Sequence, residues 1–355
     1  MAGSAPVGHP RGMRAAQRFP DVVVSGLSHV DAPHVVTSAE IEEAMTPTFE
    51  RLRISPGLLE RLSGIEERRV FGAGTMPSEV AAEAGEQALA RSGVDRADIG
   101  LLINTSVSRD WLEPSTASIV HGRMGLPTEA VNFDLGNACL GFLNGMNVAA
   151  TMISTGEIDH GLVVAGETSR DAMEATVARL AGPEATRRTF HEQFATLTVG
   201  SGAVAMVLSR DDGSGAGHHF LGGLGRAATV GNAGLCVGRA DEMRTDTAGL
   251  LAAGMELAGR TWSEAVAAFD WDAAGYDVYA LHQVSKVHTR AVADQLGLAV
   301  ERFPLIYPRF GNIGPAGVPT VLSKAVEDGT VADGTRVMLM GVGSGINAAA
   351  AEVDW

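Results

Sequence analysis

Cysteine is scarce in this chain of 355 residues, where only Cys139 and Cys236 carry thiols. So few, so far apart, exclude a disulfide scaffold and any Cys-x-x-Cys metal site, and they fit a reducing, cytoplasmic setting. Positive charge is also short. Lys and Arg number 27 against 42 Asp and Glu, a formal net charge of −15. That balance excludes a broad nucleic-acid or anionic-membrane surface, because both need clustered cations. The longest uncharged run, 135–156, has the length to cross a bilayer but contains Asn137, Asn144 and Asn147. It reads as a core helix, so no integral membrane segment is expected. Residues 1–20 carry Arg11, Arg14 and Arg18 but no apolar stretch, which makes them a tail and not a secretory signal.

What is abundant is glycine, at 44 residues, in a chain that is 45% hydrophobic and 19% charged. This is globular composition with many tight turns between strands and helices. Val22-Val-Val-Ser-Gly-Leu reads as a strand, and Thr37 with Glu40 forms a capping box before an acidic helix. An amphipathic helix is predicted over 78–92, closed by Gly93. Strands follow at 101–106, 131–135 and 162–165, with a helix from Cys139 to about Ile153. Alternating strands and helices predict an α/β fold with parallel pairs and helices on both faces.

The second half echoes the first. Gly136-Asn137 recurs as Gly311-Asn312 at a spacing of 175 residues, and the same spacing carries Gly166 onto Gly341. A Gly-Ser-Gly before an apolar strand recurs at a spacing of only 143, at Gly200 and Gly343. Two duplicated halves are expected, over 21–211 and 212–355, with about 32 extra residues, helical and surface-lying, near 167–199.

Cys139 lies where a strand turns into a helix. A helix start lowers a thiol's pKa, so this residue reads either as an inert core cysteine or, favoured by position, as a nucleophile. His282 ends a strand, where ligands gather in open α/β sheets. Asn312 sits in a Gly-rich loop with an amide able to donate. Together the three supply a nucleophile, a proton carrier and a donor for an oxyanion or enolate. Glu113, from spacing alone, is a solvated loop carboxylate, and Cys236 is structural. No metal-ligand spacing occurs among the histidines.

Asn137-Ala-Cys139-Leu-Gly, Leu281-His282-Gln, Gly311-Asn312-Ile-Gly-Pro and Gly341-Val-Gly-Ser-Gly resemble the thiolase superfamily, within it the ketoacyl-ACP synthase III branch. Longer strings, Ser25-Gly-Leu-Ser-His-Val-Asp-Ala-Pro-His, 102–118 and Gly156-Glu-Ile-Asp, are similar to the enzymes of bacterial olefin biosynthesis that join two fatty acyl-CoAs head to head. The resemblance implies a five-layered αβαβα thiolase-like fold and an obligate homodimer. It implies that Cys139 accepts an acyl group as a thioester, that His282 and Asn312 hold an enolate oxygen, and that Gly343 and Ser344 belong to an oxyanion loop. Glu113 becomes the base that removes the α-proton, acting in the partner's site. The substrates expected are acyl-CoA or acyl-ACP, with no cofactor and no metal, and with downstream pathway enzymes as further partners. Some relatives in β-lactone pathways split the cysteine and glutamate between two chains; here both are present. The rival readings are a decarboxylating synthase using a malonyl donor, an acyl-CoA thioesterase and a non-catalytic partner subunit.

Overall fold

The computed structural model describes residues 16–239, 241–272 and 274–355. In chain order the main-sheet strands are β1 (Ala16–Arg18), β2 (Val22–Asp31), β3 (Ile99–Asn104), β4 (Val131–Asp134), β5 (His160–Glu167), β6 (Gly202–Arg210), β7 (His218–Ala227), β8 (Val278–Leu281), β9 (Arg336–Gly343) and β10 (Asn347–Asp354). The longer helices are α1 (Pro77–Ser92), α2 (Thr116–Met124), α3 (Gly141–Ser154), α4 (Arg170–Ala181), α5 (Arg187–Gln193), α6 (Thr247–Phe269), α7 (Lys286–Leu296) and α8 (Gly317–Glu327).

The strand order in the first half is β2-β6-β5-β3-β4, with β3 parallel to β4 and β5 and the rest antiparallel. The second half runs β7-β10-β9-β8, with one parallel pair, β8 with β9. Among the described residues the two sheets touch through two pairs, Val23 with His219 and Val24 with His218. Where β4 would recur, residues Tyr307–Phe310 form a single helical turn instead.

Alternation along the strands sets the layers. Leu102, Leu162, Val164 and Val207 face α1 and α2 through Val80, Ala84, Ala88 and Val120. Leu101, Ile103, Val163 and Met206 face the opposite way, into a cluster shared with Phe142, Met146 and Ile153 of α3 and Val318, Val321 and Leu322 of α8. That cluster continues onto Val337, Leu339 and Ala351 of the second sheet. The far face of that sheet, Met338, Met340 and Tyr279, packs on Trp262, Ala265, Val292 and Ala293 of α6 and α7. The result is five layers, helices–sheet–helices–sheet–helices. Strands buried on both faces explain runs such as Leu162-Val-Val-Ala, and each fully buried aliphatic side chain stabilises the fold by about 1.5–3 kcal/mol.

Two expectations need correction. The tail does not extend to residue 20: β1 pairs with β7, and Phe19 is buried against Phe220. An unpaired edge of β7 supplied the hydrogen bonds that local composition did not advertise; residues 1–15 lie outside the described residues. The extra segment near 167–199 is helical but is not mere surface. Met173, Leu180, Phe190 and Leu197 form a separate core with Ile41, Met45, Phe49, Leu59 and Val70. Among the described residues no helix is long and apolar enough to cross a membrane.

Candidate active site

The elbow carrying Cys139 is built by close approach. α3 begins at Gly141, so Cys139 lies two residues upstream of the helix, in a turn closed by Leu140 N–H to Asn137 O (3.0 Å) and Gly141 N–H to Ala138 O (3.1 Å). Ala138 takes the left-handed conformation, φ 46°, which costs a non-glycine residue about 1–2 kcal/mol. Gly141 cannot carry a side chain, since a Cβ there would lie 2.7 Å from the Thr105 carbonyl oxygen. An amide chain then ties the elbow to the other half. Asn347 Nδ2 donates to Asn137 Oδ1 (3.0 Å), and Asn137 Nδ2 donates to Asn144 Oδ1 (2.6 Å).

His282 follows β8 directly, its N–H bonded to Met340 O at 2.8 Å. The next side chain, Gln283, accepts from the Ile306 and Tyr307 N–H groups and donates to Pro304 O, which fixes the loop behind it. His282 is 1% exposed, and among the described residues neither ring nitrogen has a hydrogen-bond partner. Burial pushes its pKa down to about 3, with nearby His288 adding to the effect, so the ring is neutral at ordinary pH. His288, 6.5 Å away between ring centroids, is held down to about 4 by burial. It borders a small apolar cavity with Trp262, Leu281, Val292, Met340 and Gly341.

Asn312 is locked by backbone. Its N–H donates to Thr198 O and its carbonyl accepts from Gly200 N–H, both at 2.9 Å. Gly311 precedes it with φ 66°, and a Cβ there would sit 2.5 Å from the Thr198 oxygen. Asn312 Oδ1 accepts from Gly314 N–H (3.0 Å), while Nδ2 makes no hydrogen bond among the described residues. The free group is therefore the donor.

The glycines around these residues report how closely they converge. A Cβ on Gly341 would meet Leu140 at 2.7 Å and His282 Cβ at 3.5 Å. One on Gly317 would lie 3.4 Å from His282 Nδ1, and one on Gly343 would lie 3.3 Å from Asn137 O and 3.4 Å from Leu140 N. The elbow, the histidine, the turn after Asn312 and the Gly343-Ser344 loop thus share one crevice between the halves. Both cysteines are free thiols. Cys139 is partly exposed, yet burial of its surroundings pushes its thiol up to about 12, with Cys236 and Glu167 adding to it. The expected lowering by a helix start is corrected here. Helix α3 begins two residues further on, and burial raises the thiol.

Glu113 is not in this crevice. It stands exposed on the arm 105–115 and makes no hydrogen bond among the described residues. The arm itself is braced by three carboxylates. Glu167 accepts from Val107 and Ser108, Asp110 is bonded by Ser78, and Asp134 accepts from the Thr116 and Ala117 N–H groups. Between the braces the tip is bare, with Trp111 56% and Leu112 93% exposed. Sequence reasoning missed Glu167, although a carboxylate ending the otherwise apolar 161–167 run was a visible signal.

A thiolase-like fold with this crevice at the seam of its halves defines a condensing acyltransferase. Residues 133–223 match the 3-oxoacyl-[acyl-carrier-protein (ACP)] synthase III family, and residues 266–355 match its C-terminal family. The acyl-CoA:acyl-CoA alkyltransferase of Xanthomonas campestris pv. campestris is 44% identical over 337 residues, covering 95% of this chain and 99% of that protein. The enzyme of the same name from Shewanella oneidensis is 34% identical over 352 residues, covering 95% and 100%. The chain belongs to the acyl-CoA:acyl-CoA alkyltransferase family. Cerulenin-bound OleA of Xanthomonas campestris superposes with a TM-score of 0.93 at 44% identity, covering 98% of this chain and 100% of that one. A cysteine-to-serine variant of that OleA, crystallised with lauric acid and lauroyl-CoA, gives the same TM-score at 44% identity, covering 95% and 100%.

The buried imidazoles make stability depend on acid. Unfolded, His282 and His288 bind protons below pH about 6.5; folded, they resist until about 3 and 4. Their contribution is full above 6.5 and is lost as pH falls, by up to about 1.4 kcal/mol per pH unit for each ring. Glu167, pushed up to about 7 by burial, has the opposite sign between about 4.5 and 7 and offsets one ring there. In urea unfolding at pH 7.5 and 5, His288→Phe is therefore expected to lose less stability on acidification than wild type. Parallel losses in the two proteins would refute the assignment.

Proposed function

We propose that this protein catalyses the non-decarboxylative Claisen condensation of two fatty acyl-CoAs as a homodimer. In this reading the Cys139 sulfur attacks the first acyl-CoA, its proton leaves with the CoA thiol, and an acyl-Cys139 thioester forms. Glu113 of the second copy then takes the α-proton of the second acyl-CoA. Neutral His282 and the free Nδ2 of Asn312 donate to the resulting enolate oxygen. The α-carbon attacks the acyl-Cys139 carbonyl, the Gly343-Ser344 loop lies beside the developing oxyanion, and collapse breaks the C–S bond, releasing a β-ketoacyl-CoA and a Cys139 thiolate that regains the proton held by Glu113.

The observation that carries this reading is the chemistry of the crevice: a histidine desolvated into its neutral form, its ring nitrogens without partners among the described residues, packed against the turn that follows an uncommitted amide donor. Such groups stabilise a developing enolate without being neutralised by it. The dimer is supported by β4, an edge strand whose Val131 is 50% exposed, and by the bare Trp111-Leu112 tip beside Glu113. Acyl-CoA as donor is supported by the lauroyl-CoA bound to the related OleA variant. Two free cysteines fit a reducing cytoplasm.

Mass spectrometry of products made from acyl-CoAs of graded length, with no malonyl donor, tests the proposal. A β-keto product of two acyl units is expected. Release of free fatty acid alone would favour a thioesterase, and product only after adding malonyl-ACP would favour the decarboxylating synthase.

A further inference from the structure

We propose that Glu167 is a positioning residue that ties the Glu113-bearing arm to the crevice of its own chain. The inference rests on Glu113 being the base. Glu167 ends β5 and is 6% exposed, yet among the described residues no cation pairs with it. Leaving an unpaired carboxylate in the interior is unfavourable unless its lone pairs are well used. Here Oε1 accepts from Val107 N–H (2.7 Å), and Oε2 accepts from Ser108 N–H (3.1 Å) and Ser108 Oγ (2.8 Å). These are the first residues of the arm after Ser106. Ser108 Oγ in turn accepts from Thr168 N–H at 3.2 Å, closing a small ring between β5 and the arm.

The other side of the carboxylate faces the crevice. A Cβ on Gly314 would lie 3.7 Å from Glu167 Cδ, and the Gly314 N–H is the one that orients Asn312. Glu167 is also close enough to Cys139 to act on its titration. Asp110 and Asp134 brace the arm elsewhere, at Ser78 and at the start of α2. Of the three bracing carboxylates, Glu167 is the one that also lies beside the loop that follows the free amide donor. A glutamine cannot replace it, because its NH2 would face either the Val107 N–H or the Ser108 donors. The arm would then start from an unmade hydrogen bond, and a misplacement of about 1 Å at a reacting group can cost on the order of 10²-fold.

Mixed dimers with a single nucleophile test this. One chain keeps Cys139 and the other carries Cys139→Ser; Glu167→Gln is placed on either chain in turn, and Glu113→Gln is placed in the same two ways as a reference. Acyl loading and condensation are read separately. The expected result is that Glu167→Gln lowers condensation by on the order of 10- to 100-fold when it is placed on the chain in which Glu113→Gln causes the larger loss. On the other chain the loss should be much smaller. Ser108→Ala, which removes one of the three bonds from the arm's side, should give a milder loss with the same chain dependence. If the Glu113→Gln reference shows no chain preference, the reading of Glu113 fails. If that reference behaves as expected but Glu167→Gln acts equally from both chains, acts through the Cys139 chain alone, or has no effect, the positioning role is overturned.

Discussion

Cys139→Ser is expected to take up no acyl group from acyl-CoA and to form no condensed product. The thiol is the more nucleophilic group, and its exchange with a thioester is close to an isoenergetic swap; a serine ester would be a sink. Where a nucleophile works within a unit of interlocked groups, removing it has cost on the order of 10⁶-fold. The buried position sharpens the expectation. With its thiol pushed up to about 12, Cys139 is protonated in the free chain and attacks as sulfur loses its proton, a path the less acidic serine hydroxyl follows poorly. Intact-protein mass after brief exposure to acyl-CoA should show one adduct in wild type and in Cys236→Ser, and none in Cys139→Ser. An equal adduct in Cys139→Ser would transfer the role elsewhere.

Glu113→Gln should separate the two half-reactions. Loading of Cys139 involves no α-proton and is expected to persist, while condensation falls by about 10²–10⁴-fold, the usual contribution of a positioned base. The acyl-enzyme would then be drained by water, giving slow fatty acid release. Glutamine keeps the shape of the exposed tip, so assembly is preserved. Cys139→Ser chains mixed with Glu113→Gln chains should regain one working site per heterodimer. Wild-type condensation by Glu113→Gln would sink the base assignment, and unrescued mixtures of stable heterodimers would place Glu113 in its own chain's site.

Much of this architecture was legible in the sequence because it is written in short-range chemistry. The Thr37–Glu40 capping box forms as read, α1 ends at Gly93 with φ 70°, and the 175-residue echo places α3 and α8 in equivalent positions of the central layer. The placement of His282 at a strand end and of Asn312 in a Gly-rich turn was legible because such features are visible locally. What could not be read depended on distant partners. β1 is a strand only because β7 offers an edge 200 residues away, and the 167–199 segment is core only because 41–70 packs beneath it. The pKa of Cys139 follows from desolvation, which no local pattern encodes, so the helix-start argument pointed the wrong way. Glu167 escaped notice for the same reason: its partners lie 59 and 60 positions away.

The left-handed Ala138 carries a lesson about what protein stability can and cannot report. Glycine there would relieve about 1–2 kcal/mol of steric cost, but its floppier unfolded chain would return about 0.5–1 kcal/mol of that. The balance lies between about 0 and 1.5 kcal/mol in favour of glycine, so stability does not explain why a methyl group occupies the position. A methyl there narrows the torsions open to the residue before the thiol, and with them the headings the Cys139 sulfur can take. The aim of the sulfur is thus set one residue upstream of it, by a side chain that has no chemistry of its own.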